Sequence, residues 1–328
     1  MHLSLIHPIK IHTSLLPAIL FFFSIASASP HQRTFSLLYT AKVTEIPAET
    51  KNIDIWMPLP SDSRYQKITN LAITSPFQYT TSTEKEYHNT MLYQHIVNPP
   101  ESLVTSVSFT VLRKEISAEI GYERECAPSR NSIKACTFLP KSDSIALEVA
   151  HIINGSVNRT EIAEKLYRHT LSTMTYDKKG QGWGQGDFVY ACNVRKGNCT
   201  DFHSMFMGYC RNIGIPTRFE IGLSIPTAPL EGITGGYHCW AFFNDSCNWI
   251  PVDISEAWKD SSRQDYFFGS LCENRVTLSR GRDIILSPPQ KGAPLNFFIY
   301  PYVECDGIPF HNATKESYYK AIHTDIRK

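Results

Sequence analysis

Cys199 is the residue whose setting most favours a reactive thiolate. It follows Gly197-Asn198 and precedes an apolar stripe at helical spacing, Phe202, Met205, Phe206, Tyr209 and Ile213, which stops at Gly214 and Pro216. A thiol at the start of a helix sits among unpaired backbone N–H groups at the positive end of the dipole, which lowers its pKa. The same N–H groups can donate to an oxyanion. Such a nucleophile also needs a base within hydrogen-bond reach, and a third group to fix the tautomer of that base.

His238 and Asp253 fit those two roles. Tyr237-His238-Cys239-Trp240-Ala241-Phe242-Phe243 reads as a strand, Asn244-Asp245-Ser246-Cys247 as a turn, and Trp249-Ile250-Pro251-Val252-Asp253 as the returning strand. A turn centred between Asp245 and Ser246 makes His238 and Asp253 direct cross-strand partners, with Cβ atoms roughly 4.5–5.5 Å apart. His203 is the rival base, four residues after Cys199 on the same helix face. A side chain there is expected to run along the helix surface rather than reach across a cleft to the sulfur. Asp201 is expected to serve the helix N-terminus. A metal site built on His238 and Cys239 is disfavoured, because adjacent strand residues point to opposite faces.

The elements that position these residues follow from periodicity. Phe35, Leu37, Tyr39, Ala41 and Val43 alternate with more polar neighbours, as do Leu103, Thr105, Val107, Phe109 and Val111. With Ile53-Asp54-Ile55-Trp56-Met57 between them, they predict a small antiparallel β-sandwich. Helical patterns begin near residue 143, and Asn158-x-x-Glu161 predicts a helix cap. Phe219, Ile221, Leu223 and Ile225 alternate as a strand after the Cys199 helix. Between the two helical regions lies Gly180-Gln181-Gly182-Trp183-Gly184-Gln185-Gly186. It lacks the Gly-Lys-Ser/Thr ending of a phosphate loop, so it is expected to be a connection or a rim over the site. The fold class expected is α+β: a nucleophile helix on an antiparallel sheet, preceded by an all-β domain. The domains expected are a signal peptide at 1–28, a β-rich domain at 29–140 and a catalytic domain at 141–328.

The signal peptide rests on Lys10, the apolar run from Leu15 to Phe23, and small residues at Ala26 and Ala28. That run is shorter than the ~20 residues of a membrane span, so no span is expected after cleavage. The chain is then periplasmic or secreted. A formal net charge of +1 on 328 residues offers no footprint for nucleic acid. Nine cysteines, an odd number, leave at least one thiol unpaired within the chain. Cys126 and Cys136 bracket a polar stretch and are the local pair expected to bond. No Cys-x-x-Cys occurs. Five Asn-x-Ser/Thr sequons, at Asn154, Asn158, Asn198, Asn244 and Asn312, are read as chance; a glycan on Asn198 would block the cleft.

Three ordered segments carry a family resemblance. Gly197-Asn198-Cys199-Thr200-Asp201-Phe202-His203-Ser204, Gly236-Tyr237-His238-Cys239-Trp240-Ala241 and Trp249-Ile250-Pro251-Val252-Asp253 resemble the Cys, His and Asp motifs of the bacterial transglutaminase-like superfamily. Arg211-Asn212-Ile213-Gly214-Ile215-Pro216-Thr217-Arg218 resembles the segment after the nucleophile helix. The likeness extends over roughly residues 150–305, through Asn274-Arg275 and Gly281-Arg282-Asp283. It implies a papain-like core with Cys199 as nucleophile, His238 as base and Asp253 as orienter. Oxyanion donors are then the Cys199 N–H and, as a second candidate, Trp183 or Gln185. The activity expected is a cysteine peptidase or amidase acting on a protein or peptide through a thioacyl intermediate, with no cofactor or metal. The alternatives are a protein-glutamine acyltransferase that crosslinks, and a binding scaffold without turnover. A disulfide involving Cys239 or Cys247 would restrain the hairpin.

Overall fold

The computed structural model describes residues 31–324, with side chains to 322. The expected signal peptide lies outside the described residues. Six strands open the chain: β1 (Gln32–Val43), β2 (Asn52–Leu59), β3 (Gln66–Thr74), β4 (Thr80–Thr83), β5 (Thr90–Val97) and β6 (Leu103–Lys114). The short β7 (Glu123–Arg124) precedes helices α1 (Asp143–Ile153) and α2 (Arg159–Thr173). Then come β8 (Thr175–Tyr176), α3 (Phe188–Val194), β9 (Lys196–Gly197) and α4 (Cys199–Asn212). The remainder is β10 (Thr217–Ser224), β11 (Glu231–Ile233), β12 (His238–Asn244), β13 (Asn248–Val252), α5 (Ile254–Lys259), β14 (Arg275–Arg280), β15 (Tyr302–Cys305), β16 (Ile308–Pro309) and β17 (Ala313–Thr324).

Three five-stranded antiparallel sheets result. Two form the sandwich, ordered β11-β17-β1-β6-β3 and β16-β15-β2-β5-β4. Alternation drives them together: Phe35, Leu37, Tyr39, Ala41 and Val43 are all buried and share one apolar cluster with Ile53, Ile55 and Met57 of the facing sheet. Gln94 and Thr105 close a hydrogen bond of 2.8 Å between the layers, which satisfies two buried polar side chains. The third sheet, β14-β10-β12-β13-β7, carries α4 against one face. From Cys199 to Arg211 every residue of α4 is buried, so this helix is the centre of the core rather than an amphipathic cover.

Domain organisation differs from the expected split at residue 140. Strands β15, β16 and β17 lie beyond the catalytic elements in sequence, yet they complete both sandwich sheets. Strand β7, on the other side of that boundary, joins the third sheet beside β13. The reason is edge pairing: β1 and β2 each offer a free edge that strands from the C-terminal end of the chain cover. The local Cys126–Cys136 pairing is also replaced. Pairing of β7 with β13 sets Cys126 against the hairpin turn, and it bonds to Cys247, while Cys136 and Cys239 remain thiols.

The hairpin register differs as well. Asn244 pairs with Trp249 and Ala241 with Val252, so the turn holds four residues, Asp245 to Asn248. The Asp245 carboxylate accepts from the N–H groups of Cys247 and Asn248 at 3.1 and 2.9 Å, which stabilises the wider turn. His238 and Asp253 are therefore diagonal rather than opposite. The slip is two residues, an even number, so both side chains keep the face they share.

At Gly222, the register partner of His238, an added Cβ would stand 1.8 Å from the Val276 carbonyl oxygen. Gly222→Ala should destabilise the fold by about 1–3 kcal/mol. Chemical denaturation reads this directly; an unchanged midpoint would mean that β10 and β14 are not packed this closely.

Candidate active site

The start of α4 is fixed by reciprocal caps. Asn198 is the N-cap; its Oδ1 accepts from the Thr200 N–H at 2.9 Å, and Asp201 Oδ2 accepts from the Asn198 N–H at 2.8 Å. Asp201 also takes the N–H groups of Gly184 at 2.7 Å and Gly186 at 3.0 Å. It does serve the helix N-terminus, and in addition fastens the Gly-rich loop to it. Arg282 secures the loop from beneath, donating to the Gly186 carbonyl at 2.7 Å and to Ser204 Oγ at 2.9 Å. This loop is a tethered rim. The side chain of Asn198 is committed at both ends, because its Nδ2 donates to the Tyr237 hydroxyl at 3.0 Å.

Cys199 is only 3% exposed, and its backbone N–H has no acceptor among the described residues. Its thiol pKa falls well below the ordinary value. The Cys239 thiol, which donates to it, is the largest cause; burial opposes this, and His238 and His203 reinforce it. In return Cys239 is pushed well up, by burial first and then by the neighbouring thiolate. Cys199 takes the charge because it has the helix N-terminus and His238 beside it, whereas Cys239 lies in mid-sheet.

The His238 ring is held by Asp253, with Nε2 at 2.8 Å from Oδ2 and 3.1 Å from Oδ1. That commits Nε2 and leaves Nδ1 for the sulfur. Burial, the largest influence, disfavours the imidazolium. The Asp253 carboxylate, its hydrogen bond and the thiolate outweigh burial and the opposing Arg275, so the pKa rises to about 9. Asp253 begins the turn into α5 as its N-cap, accepting from the Glu256 N–H at 3.3 Å. It is fully buried. Arg275 of β14 donates to its Oδ2 through Nε at 3.0 Å and Nη2 at 2.9 Å. Burial alone would raise the carboxyl pKa, but His238 and Arg275 hold it far below the usual range.

His203 is not available as a base. Its Nδ1 donates to the Cys199 carbonyl at 2.7 Å, and its Nε2 accepts from the Ile254 N–H at 3.1 Å. Burial also lowers its pKa. It is a strut between α4 and the turn after Asp253.

Trp183 is half-buried in the rim and Gln185 is exposed. Neither side chain hydrogen-bonds to Cys199, His238 or Asp253 among the described residues. Arg275, Cys239 and Tyr237 are site residues that sequence reasoning left without a role. Arg275 stood inside a motif of the resemblance; Tyr237 and Cys239 flank the base.

This arrangement sets a sulfur at the head of a central helix, with an imidazole held by a carboxylate at the neighbouring antiparallel sheet. Residues 148–254 match the transglutaminase-like superfamily model, a span that contains Cys199, His238 and Asp253, so the chain carries a transglutaminase-like domain. An uncharacterized protein of Haemophilus influenzae is 26% identical over 303 residues, covering 79% of this chain and 82% of the relative. The fold is similar to that of a proposed cysteine protease from Cytophaga hutchinsonii. The TM-score is 0.58 at 14% identity, covering 90% of this chain and 93% of that one. No helix among the described residues is long and apolar enough to cross a membrane.

Removing the Arg275 guanidinium strands a buried carboxylate. Arg275→Met should cost about 3–5 kcal/mol of folding stability at neutral pH, read from urea titration. A loss under about 1 kcal/mol would show that Asp253 is sufficiently held by His238 alone.

Proposed function

We propose that this protein is an exported thiol hydrolase that cleaves amide or peptide bonds through a thioacyl intermediate. The observation that carries this is the line of contacts from the head of α4 to β14. Cys199 has a depressed pKa and a free N–H, and His238 is clamped through Nε2 by a buried, Arg275-paired carboxylate. The Cys199 thiolate attacks the carbonyl carbon, and negative charge develops on the carbonyl oxygen beside the Cys199 N–H. A single such donor is worth about 10²–10³ in rate. As the tetrahedral adduct collapses, the imidazolium gives its Nδ1 proton to the leaving amine and the C–N bond breaks. His238, now neutral, takes a proton from water as its oxygen attacks the thioester. The sulfur leaves with the electron pair of the C–S bond, which restores the ion pair.

The pH dependence follows from the two shifts. The thiolate is lost only as pH falls through the depressed pKa of Cys199. The proton donor is lost as pH rises through about 9, the value for His238. Alkylation of Cys199 by iodoacetamide should therefore be fast well below pH 8, and turnover should decline above pH 9. In His238→Ala the alkylation profile should move up toward an ordinary thiol, about 8.5. Intact mass after labelling, with Cys199→Ala as control, measures this. An unshifted profile in His238→Ala would remove His238 as partner, and sluggish labelling of the native chain would favour a binding scaffold. If an amine probe is incorporated into a glutamine donor without cleavage, the acyl group passes to amines and the crosslinking branch replaces hydrolysis.

A further inference from the structure

Lys315 breaks the pattern of its own strand. In β17, Ser317 and Tyr319 are buried while Thr314, Glu316, Tyr318 and Lys320 face solvent. Lys315 has the parity of the buried set and sits on the inner side of the sheet beside Ala41 and Tyr39 of β1. Its Nζ lies 3.4 Å from the Gly236 carbonyl oxygen and 5.5 Å from the centroid of the Tyr300 ring. No carboxylate among the described residues pairs with it, and burial alone pushes its pKa down to about 8. An inward-facing cation without a counter-ion contributes nothing to the packing of its strand and leaves a charge free to pair.

Its surroundings lead to the nucleophile. Gly236 is two residues before His238. The Tyr300 ring stands 6.0 Å from that of Tyr237, whose hydroxyl meets Asn198, the residue next to Cys199. A second aromatic wall comes from Tyr176 stacked on Trp258 at 6.2 Å, with Lys259 Nζ 4.3 Å from the Tyr176 ring centroid. The Tyr176 ring also stands 6.1 Å from that of Phe202, three residues after Cys199 on α4, so this wall too reaches the head of that helix. Lys259 is neutralised by Glu256 at 2.7 Å. Lys315 has no such partner.

We propose that Lys315 determines specificity by binding a substrate carboxylate, so that the site takes acidic peptides across the Tyr237–Tyr300 wall. This rests on the thiol-hydrolase reading. A carboxylate arriving there converts an unpaired, half-buried ammonium into a charge-assisted pair, and the gain appears only when substrate is bound. It also gives the sandwich a role in recognition: β17 carries Lys315, while its pairing with β11 and the 2.8 Å hydrogen bond from the Thr234 N–H to the Ser317 carbonyl hold the segment leading to His238.

The test uses the mature chain and tripeptide vinyl sulfones that carry Glu or Gln at each position in turn. Second-order labelling rates of Cys199 should favour Glu by about tenfold at one position, the size expected of one partly desolvated charge pair. Lys315→Met should bring that ratio close to one, and Lys315→Arg should retain most of it, while iodoacetamide labels all three proteins equally. Equal rates for Glu and Gln at every position in the wild type overturn the proposal, as does an undiminished preference in Lys315→Met. If iodoacetamide itself fails to label Cys199 in the wild type, the thiol-hydrolase reading falls, and this one with it.

Discussion

A single buried carboxylate organises the site. Asp253 is withdrawn from water, a step that costs several kcal/mol unless the charge is fully engaged. It is engaged from three directions: His238 from β12, Arg275 from β14, and the first turn of α5 through the Glu256 N–H. Because each of those groups lies on a different element, the carboxylate locks the sheet, the helix after it and the imidazole into one arrangement. His203 joins α4 to the same point through the Ile254 N–H. The orientation of the His238 ring is thus a by-product of satisfying a charge that has no access to solvent.

The head of α4 is built on the same logic with a second carboxylate. Asp201 accepts three backbone N–H groups, one from the helix cap and two from the Gly-rich loop. These ordered donors would otherwise be orphaned at a buried helix terminus. Glycine is required at Gly186, where φ is +62° and an added Cβ would lie 2.9 Å from Ser204 Oγ. Rim and helix are consequently tied together at the head of α4.

The β-sandwich is part of this machinery rather than an appended module. Strand β17 closes the sheet beside β1 and supports the stretch from β11 to His238 through its pairing with β11 and the Thr234 hydrogen bond. The disulfide between Cys126 and Cys247 ties the segment after the sandwich to the hairpin turn. Strands far apart in sequence, β1 and β17, must therefore pair before the segment leading to His238 is fully held.

Local chemistry was legible without coordinates. The helical stripe after Cys199, its stop at Gly214, the Asn158 cap, the alternation in β1, β6 and β10 and the strand run of β12 each depend on neighbours within a few residues. Such short-range patterns are set by backbone sterics and by which side of an element is buried. The pairing of His238 with Asp253 was reached through a register wrong by two residues, and it survived because side-chain direction in a strand has period two. Arg275, the Cys126–Cys247 bond and the C-terminal completion of the sandwich were decided only in three dimensions. They depend on which strand edges meet across more than a hundred residues, or on which buried charge needs a partner. The sequence by itself determined the chemical groups and the elements that carry them; tertiary structure decided their partners, because long-range pairing is chosen by the burial of the whole core and not by any local preference.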